Sequence, residues 1–335
     1  MQTPRIAILN AGGWGTALAV MLANRGYDVV LWARRPEAAE ELSRKRQNEP
    51  YLPGITIPDA VQITPSLEAA LSGRDVIGVV TISAALRALA QRLAPLAPSE
   101  ALIFHGTKGF EPGELRTASE VLSSELGPAF AGRVAALSGP THAEEVGRGV
   151  PTAAVLACQD RTVAEKLQGY LNSSAFRIYT NTDLLGVETC GGLKNVIALA
   201  AGVGDGLGFG DNAKAALITR GLAEMSRLVV ALGGRPQTAS GLAGLGDVVA
   251  TCTSRHSRNR RAGEQIGLGR TLESVLAETR MVVEGVPATR AAVQLAERAG
   301  VELPIARQVH AVLFEGREPR AAIADLMARE ATAER

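Results

Sequence analysis

Short apolar runs recur along the first half of the chain. Each spans four to six residues and is separated from the next by a polar stretch or a stretch of helical composition. Such runs are typical of strands buried on both faces, and their alternation with helices indicates a doubly wound parallel sheet. The predicted strands span residues 6–9, 28–32, 61–64, 75–80, 101–104, 134–137, 153–157 and 176–179.

The pattern changes near Asp183. Beyond it the sequence has long Ala- and Leu-rich stretches with helical spacing in place of short β-branched runs. Helices are predicted at residues 186–201, 213–232, 272–277, 289–299 and 304–314. We therefore assign the chain to the α/β class, with a doubly wound sheet domain at residues 1–184 and an all-α domain at residues 185–335.

The first predicted strand opens into the sequence NAGGWG at residues 10–15. In a Rossmann-type turn the first glycine makes the bend, the second admits the pyrophosphate and the third lets the helix pack on the strand. Gly12 and Gly15 occupy the second and third places. Asn10 stands at the first, and Asn is among the few residues that tolerate left-handed backbone angles. The segment predicts a dinucleotide site.

Two arginines, Arg34 and Arg35, follow the second predicted strand, where an enzyme strict for NAD usually carries an acidic residue. Guanidinium groups at this place favour a 2′-phosphate, so we expect NADP to be accepted as well as NAD, with Arg34 as the first contact. The alternative is a pair of solvated arginines at a strand end.

Composition limits the classes of function. The chain has 335 residues, 46% of them hydrophobic and 21% charged, with a net charge of +1. This balance gives no electrostatic reason to expect nucleic acid or an anionic membrane as a partner. The three cysteines and four histidines lack metal-ligand spacing, so no metal site is predicted. We see no signal peptide and no apolar run of membrane-spanning length, and we expect a cytoplasmic protein.

Three segments follow predicted strands of the sheet, where ligands of such sheets bind. Residues 81–83 read as an ordinary helix cap. Lys108 lies in a glycine-flanked turn in which it has no evident packing or capping role, so we interpret it as a site residue, with His105 as a polar neighbour. Residues 138–145 read as a turn into a helix N-terminus, which either binds an anion or carbonyl oxygen or is simply a capped helix start.

The helical domain opens with a candidate catalytic lysine. Lys194 follows the helix glycines 191–192 and lies among apolar residues, which tend to lower a lysine pKa towards the range that proton transfer needs. The alternative is a lysine that extends outward from a domain interface. Alternating glycines at residues 202–210 lack the ending of a phosphate loop, and we interpret them as a tight connection between helices.

A carboxylate and a basic cluster follow. Asp247 comes directly after a glycine-lined turn, and residues 251–261 combine hydroxyl groups, an amide and four arginines. Such a cluster beside a glycine-rich turn favours a phosphate or carboxylate site, whereas elsewhere it would be a solvated basic face.

Taken together, these segments resemble those of the bacterial NAD(P)-dependent sn-glycerol-3-phosphate dehydrogenases. The matching segments run in family order from about Ile6 to Pro304. They are residues 12–19, 51–53, 107–109, 138–141, 191–198, 216–225, 244–247, 251–253, 257–260 and 283–285. The chain departs from the family in two places: Asn10 replaces the usual glycine, and Thr81-Ile82-Ser83 replaces Val-Pro-Ser.

The resemblance implies reversible reduction of dihydroxyacetone phosphate to sn-glycerol 3-phosphate, which supplies glycerophospholipid synthesis, by a cytoplasmic homodimer. Lys194 would be the general acid/base, Lys108 would contact substrate and cofactor, and Asp247 would hold the substrate hydroxyl and orient Lys194. The implied substrate contacts also include Gly139, Thr141, Ser257, Arg258 and Asn259. The predicted cofactor contacts are Gly12, Gly13, Trp14, Gly15, Arg34, Arg35, Lys108, Ala143, Arg258, Val282 and Glu284.

Two other functions fit the same architecture. A β-hydroxyacid dehydrogenase would also use a lysine on the first helix of a helical domain, but would bind a carboxylate in place of a phosphate. A catalytically silent nucleotide-binding regulator would not need Lys194, and Asn10 raises that possibility.

Overall fold

The chain forms two compact units in a computed structural model that describes residues 3–279, 282–330 and 333. The units are Met1–Glu188 and Thr189–Arg335. The division between residues 184 and 185 drawn from the sequence stays a prediction.

The first unit contains every strand predicted from an apolar run. Its strands are β1 Arg5–Leu9, β2 Asp28–Trp32, β3 Gln47–Asn48, β4 Leu52–Thr56, β5 Val61–Thr64, β6 Val76–Val79, β7 Leu102–His105, β8 Val134–Ser138, β9 Thr152–Ala157 and β10 Phe176–Asn181. Its helices are α1 Gly13–Asn24, α2 Pro36–Lys45, α3 Leu67–Leu71, α4 Ser83–Leu93, α5 Ala118–Leu126, α6 Ala143–Gly147 and α7 Arg161–Leu171.

The main sheet has eight strands in the order β10-β9-β8-β7-β6-β1-β2-β5. Strands β5 to β8, together with β1 and β2, are parallel, which confirms the doubly wound arrangement. Strand β9 pairs with β8 in the antiparallel direction, and β10 follows β9, so these two strands are reversed. The connection between β8 and β9 holds only the five-residue helix α6, and it returns the chain beside β8 in the opposite direction.

Both faces of this sheet are covered. Along β1, Ile6 and Ile8 belong to one buried apolar cluster, whereas Ala7 and Leu9 belong to another. Burial of both faces explains why the strands appear in the sequence as continuous apolar runs without polar alternation.

The hairpin formed by β3 and β4 was not predicted. We interpreted residues 51–54 as a turn because Pro53 and Gly54 usually interrupt strands. Both lie within β4, where Gly54 takes a φ of 77° and the strand has β3 as its one hydrogen-bonded neighbour. A two-stranded edge tolerates these residues because few ladder bonds are lost.

The second unit is helical, as predicted. Its elements are α8 Leu184–Gly206, which begins in the first unit, α9 Asp211–Ala231, α10 Pro236–Ala239, a π-helical turn Leu242–Gly246, α11 Asp247–Thr253, α12 Arg258–Gly267, α13 Leu272–Glu278, α14 Gly285–Ala299, α15 Pro304–Phe314 and α16 Pro319–Met327. The long predicted helices are confirmed. Helices α10, α11, α12 and α16 were not predicted because they are short or polar and show little apolar periodicity.

Glycines let α8 and α12 pack backbone against backbone. A Cβ atom on Gly202 of α8 would lie 1.9 Å from the Arg260 carbonyl oxygen, and one on Gly263 of α12 would lie 2.1 Å from the Leu199 carbonyl oxygen. The prediction that residues 202–210 connect two helices is therefore wrong for their first half. Gly202 and Gly206 lie one turn apart and both face α12, and the connection begins only after Gly206.

Helix α8 is also long and apolar enough to cross a membrane, contrary to the expectation from the sequence. Among the described residues it is the one helix with this property, and 89% of its most apolar 18-residue window is buried inside the protein. It has the character of a core helix.

Candidate active site

The glycine turn after β1 has the geometry expected of a dinucleotide site. A Cβ atom on Gly15 would lie 2.1 Å from the Asn10 carbonyl oxygen, so this residue permits close packing of α1 on β1. At Gly12 the nearest atom to such a Cβ would be Asn10 Nδ2 at 3.9 Å, so the backbone there is open to a ligand. The turn therefore fits a pyrophosphate at the N-terminus of α1.

Several predicted cofactor residues surround this turn. The Trp14 indole packs over Gly106, where a Cβ atom would lie only 2.8 Å from its Nε1. The Ala143 Cβ lies 3.8 Å from the position a Cβ would take on Gly13. These contacts bring the starts of α1 and α6 together beside the end of β7.

Arg34 and Arg35 lie in the short turn between β2 and α2, and both are exposed. Arg35 is the N-cap residue of α2. No hydrogen bond between either guanidinium and another group is recorded within the described residues, so both are available to an anion at the end of β2.

Lys108 comes together with two of the predicted substrate residues. Its Nζ donates a hydrogen bond to the Gly139 carbonyl oxygen at 3.0 Å, and the Thr141 hydroxyl donates to the same oxygen at 3.2 Å. Gly139 has a φ of 115° and Gly109 a φ of 138°, so both turns need glycine. The loops after β7 and β8 thus form one cluster at the carboxyl edge of the sheet.

His105 has a structural partner that the sequence did not reveal. It is 1% exposed, and its Nε2 lies 3.1 Å from the Glu188 Oε1. The buried Glu188 carboxylate also accepts hydrogen bonds from the backbone N–H and hydroxyl of Ser119, at 2.8 Å and 2.5 Å. These hydrogen bonds join Glu188 to the start of α5 within the first unit.

In the second unit, Lys194 and Asp247 form a buried ion pair. Lys194 Nζ donates to Asp247 Oδ1 at 3.1 Å and to the Thr251 hydroxyl at 3.0 Å, and that hydroxyl donates to Asp247 Oδ1 at 3.1 Å. The three residues are 8%, 2% and 3% exposed. Burial raises the pKa of the neighbouring Cys252 thiol to about 12, although the Lys194 charge opposes the shift.

Thr251 was not predicted as a site residue. It stands four residues after Asp247 on α11, and residues with this spacing lie on the same helix face. That spacing is the signal that would have identified it.

The start of α12 holds the remaining predicted substrate residues. Ser257 is the N-cap and its hydroxyl accepts the Arg260 N–H at 3.2 Å, while Arg258 is exposed and donates to the Val282 carbonyl oxygen at 3.0 Å. Glu284 is the N-cap residue of α14.

Asn259 is committed to its neighbours within the protein. Its amide donates to Asn195 Oδ1 at 2.8 Å and accepts the Gly285 N–H at 2.9 Å. It thus joins α8, α12 and α14. Arg260, from the predicted basic cluster, forms an ion pair with Asp205 at 2.5 Å, so this arginine serves helix packing.

Comparison with known proteins identifies the family. The description "NAD-dependent glycerol-3-phosphate dehydrogenase N-terminus" matches residues 5–164, and the corresponding C-terminus description matches residues 183–324. The chain is 50% identical over 325 residues to glycerol-3-phosphate dehydrogenase (NAD(P)+) of Prosthecochloris aestuarii, which covers 97% of this chain and 98% of that protein. It is 49% identical over 330 residues to the protein of that name from Pelodictyon phaeoclathratiforme, with 98% and 99% covered.

A solved structure supports the same family assignment. The crystal structure of glycerol-3-phosphate dehydrogenase from Coxiella burnetii superposes with a TM-score of 0.92 at 41% identity, and the match covers 98% of this chain and 99% of that chain. The resemblance inferred from the sequence is confirmed. The chain belongs to the NAD-dependent glycerol-3-phosphate dehydrogenase family.

Proposed function

We propose that the chain catalyses the reversible NAD(P)H-dependent reduction of dihydroxyacetone phosphate to sn-glycerol 3-phosphate. The observation that carries this proposal is the buried Lys194–Asp247–Thr251 cluster in a member of this family. A poorly solvated lysine held by a carboxylate is suited to general acid/base catalysis at a carbonyl oxygen.

When bound, the nicotinamide nucleotide supplies the hydride to the ketone carbon. Lys194 donates its proton to the ketone oxygen as negative charge develops there, and takes it back in the oxidation direction. Asp247 accepts a hydrogen bond from the ammonium, holding its direction and balancing its charge, and contacts the substrate hydroxyl. Thr251 fixes the rotamers of both by bonding to each.

Substrate and cofactor contacts are assigned by position. We assign the substrate phosphate to Ser257 and Arg258, at the N-terminus of α12, with Asn259 in support, because a helix start and a guanidinium both favour an anion. Lys108, with Gly139 and Thr141, contacts the substrate, and Lys108 also contacts the cofactor. The remaining cofactor contacts are Gly12, Gly13, Trp14, Gly15, Arg34, Arg35, Ala143, Arg258, Val282 and Glu284.

The product is a building block for glycerophospholipids, and we assign the protein to their synthesis. We assign it to the cytoplasm because its phosphorylated substrate and its cofactor are charged molecules that a membrane retains inside the cell. Fractionation of cells that express the chain at its native level tests this location.

We assign the first half of α9 to a homodimer interface. Between Asp211 and Arg220 every side chain is at least partly exposed, although Ala216, Leu217 and Ile218 are apolar. A cavity of about 1410 Å³ lies beside this half-helix and is lined mainly by residues of α8, α9, α15 and α16. In a two-fold dimer both copies use the same surface. The half-helix and the cavity of each copy would then be covered by those of the other copy. Leu217→Asp should yield monomers by light scattering; an unchanged mass would overturn the assignment.

The activity is tested with purified protein and dihydroxyacetone phosphate. Oxidation of NADPH and of NADH is followed separately, and glycerol 3-phosphate is identified as the product. Saturation with a 3-hydroxy acid in place of the phosphorylated substrate would contradict the proposal, as would cofactor binding without turnover.

A further inference from the structure

Asn10 lies in a left-handed conformation directly after β1. Its φ is 90°, one of three positive φ values among the described non-glycine residues. Its side-chain amide donates a hydrogen bond to the Val80 carbonyl oxygen at 3.1 Å, directly after β6. Asn10 therefore makes a specific contact with the segment that follows β6.

That contact extends the sheet by one rung. The last backbone bond between the two strands runs from Val80 N–H to the Leu9 carbonyl oxygen at 3.1 Å. Asn10 then uses its backbone N–H for the Trp32 carbonyl oxygen, at 3.1 Å after β2, and its side chain for Val80. One residue thus ties the carboxyl ends of β2, β1 and β6 at the point where the backbone leaves the sheet.

Asn10 also packs against two glycines of the turn that follows β1. Its carbonyl oxygen occupies the space that a Cβ on Gly15 would need, and its Nδ2 is the atom nearest to Gly12 on the open side of that glycine. A shift of Asn10 would therefore move the backbone N–H groups that face a ligand at this turn.

We propose that Asn10 is a positioning residue for the dinucleotide. Its side chain holds β1 and β6 together and thereby fixes the turn at residues 12–15 in the conformation that binds the pyrophosphate. The inference rests on the cofactor site assigned above. Asn tolerates the left-handed backbone at this position and supplies a bond that a glycine there would lack.

The second departure lies next to this bond. Ile82 has a φ of −74° and a ψ of 150° as the N-cap residue of α4, without a side-chain cap bond, so the interpretation of residues 81–83 as an ordinary cap is wrong. A proline would accept this φ and would stiffen the chain that follows Val80. In this protein the Asn10 amide holds that segment instead.

The test compares Asn10 with Asn172, whose side chains each form a hydrogen bond to a backbone group of the same sheet or of the segment next to it. Asn10→Gly removes the bond to Val80 and keeps the backbone conformation. The control is Asn172→Gly, since Asn172 Oδ1 accepts the Ile178 N–H at 2.9 Å at the start of β10. We expect Asn10→Gly to raise the Kd for NADPH, measured by calorimetry, about tenfold, with kcat at saturating cofactor within about twofold of wild type. Asn172→Gly should lower Tm without changing that Kd.

A second variant separates positioning from general stability. Adding Ile82→Pro to Asn10→Gly should restore most of the NADPH affinity, because proline replaces the lost restraint. If Asn10→Gly does not accumulate as folded protein, the double variant carries the comparison. An unchanged Kd in Asn10→Gly, an equal loss in Asn172→Gly, or no recovery with Ile82→Pro would overturn the inference. Failure of the wild-type protein to bind NADPH would instead refute the cofactor site itself.

Discussion

The candidate site residues of the sheet unit and those of the helical unit make different kinds of contact. In the sheet unit, the candidate residues lie in turns after strands, and backbone atoms make most of the contacts: Lys108 and Thr141 both bond to the Gly139 carbonyl oxygen. In the helical unit, Lys194 and its two partners are buried side chains on α8 and α11 that bond to one another.

This difference determines which changes each unit tolerates. A site made of backbone is sensitive to added Cβ atoms and to φ, whereas a site made of buried side chains is sensitive to the loss of a single functional group. Substitutions of both kinds test that contrast.

Loss of the Lys194 amine should remove most catalysis. For Lys194→Ala we expect kcat to fall by about 10³- to 10⁴-fold, because proton transfer and electrostatic stabilisation are lost together. The NADPH Kd should stay near the wild-type value. Lys166→Ala, which removes an exposed lysine on α7, is the control. Retained turnover in Lys194→Ala would contradict the assigned role.

Added Cβ atoms should be costly in both units where backbone meets backbone. We expect Gly15→Ala and Gly202→Ala each to lower the free energy of unfolding by about 3 kcal/mol, since the new atom would lie about 2 Å from a carbonyl oxygen. Only Gly15→Ala should also weaken NADPH binding in the folded fraction. Denaturant titration and calorimetry measure the two effects.

Gly204→Ala provides the control on the same helix. No atom outside the helix lies within 4 Å of a Cβ there, so this substitution should stabilise α8 by about 0.5–1 kcal/mol. A loss as large as that for Gly202→Ala would show that close packing of α8 and α12 is not the cause.

A buried carboxylate should make the helical unit less stable as pH rises. Glu224 is 7% exposed and accepts the backbone N–H groups of Ile305 and Ala306 at 2.7 Å and 3.3 Å, and burial raises its pKa to about 7. The folded chain therefore binds more protons than the unfolded chain between about pH 4.5 and pH 7. The stability of wild type relative to Glu224→Gln should fall by up to about 3 kcal/mol across this window.

Chemical denaturation at a series of pH values measures that difference. Glu297→Gln, which removes an exposed carboxylate in the same unit, is the control. A difference between wild type and Glu224→Gln that does not change from pH 4.5 to pH 7 would show that Glu224 does not titrate there.

The exposed arginine after β2 should affect the choice of cofactor and not stability. For Arg34→Asp, the ratio of kcat/KM with NADPH to that with NADH should fall about tenfold, because a carboxylate repels the 2′-phosphate and favours the 2′-hydroxyl. Arg44→Asp, on the exposed face of α2, controls for the change in net charge. Equal ratios in the two variants would mean that Arg34 does not contact the phosphate.

The sequence predicted the two units unequally. Strands buried on both faces appear as continuous apolar runs, and long apolar helices show helical spacing. Elements of these two kinds, such as β1, β2 and α9, were therefore predicted with nearly correct bounds. The strand direction of β9 and the hairpin at β3 and β4 were missed, since both depend on pairing between segments and not on local composition.

The same limit applies to the site. Glycine turns are local features, and those around Gly12 and Lys108 were identified directly. Thr251 and the contacts of Asn259 depend on which helix faces meet. The glycines through which α8 packs on α12 were mistaken for a connection between helices. Long-range side-chain partnerships of this kind have little signature in one sequence.

The glycines where α8 packs on α12 affect the order in which parts of the protein unfold. Where two helix backbones are in direct contact, no side chains lie between them that could become mobile before the helices separate. The amide hydrogens there are shielded by the neighbouring helix as well as by their own helix. The amides of residues 199–206 should therefore be among the slowest in the chain to exchange with deuterium, and should do so only when the whole unit opens.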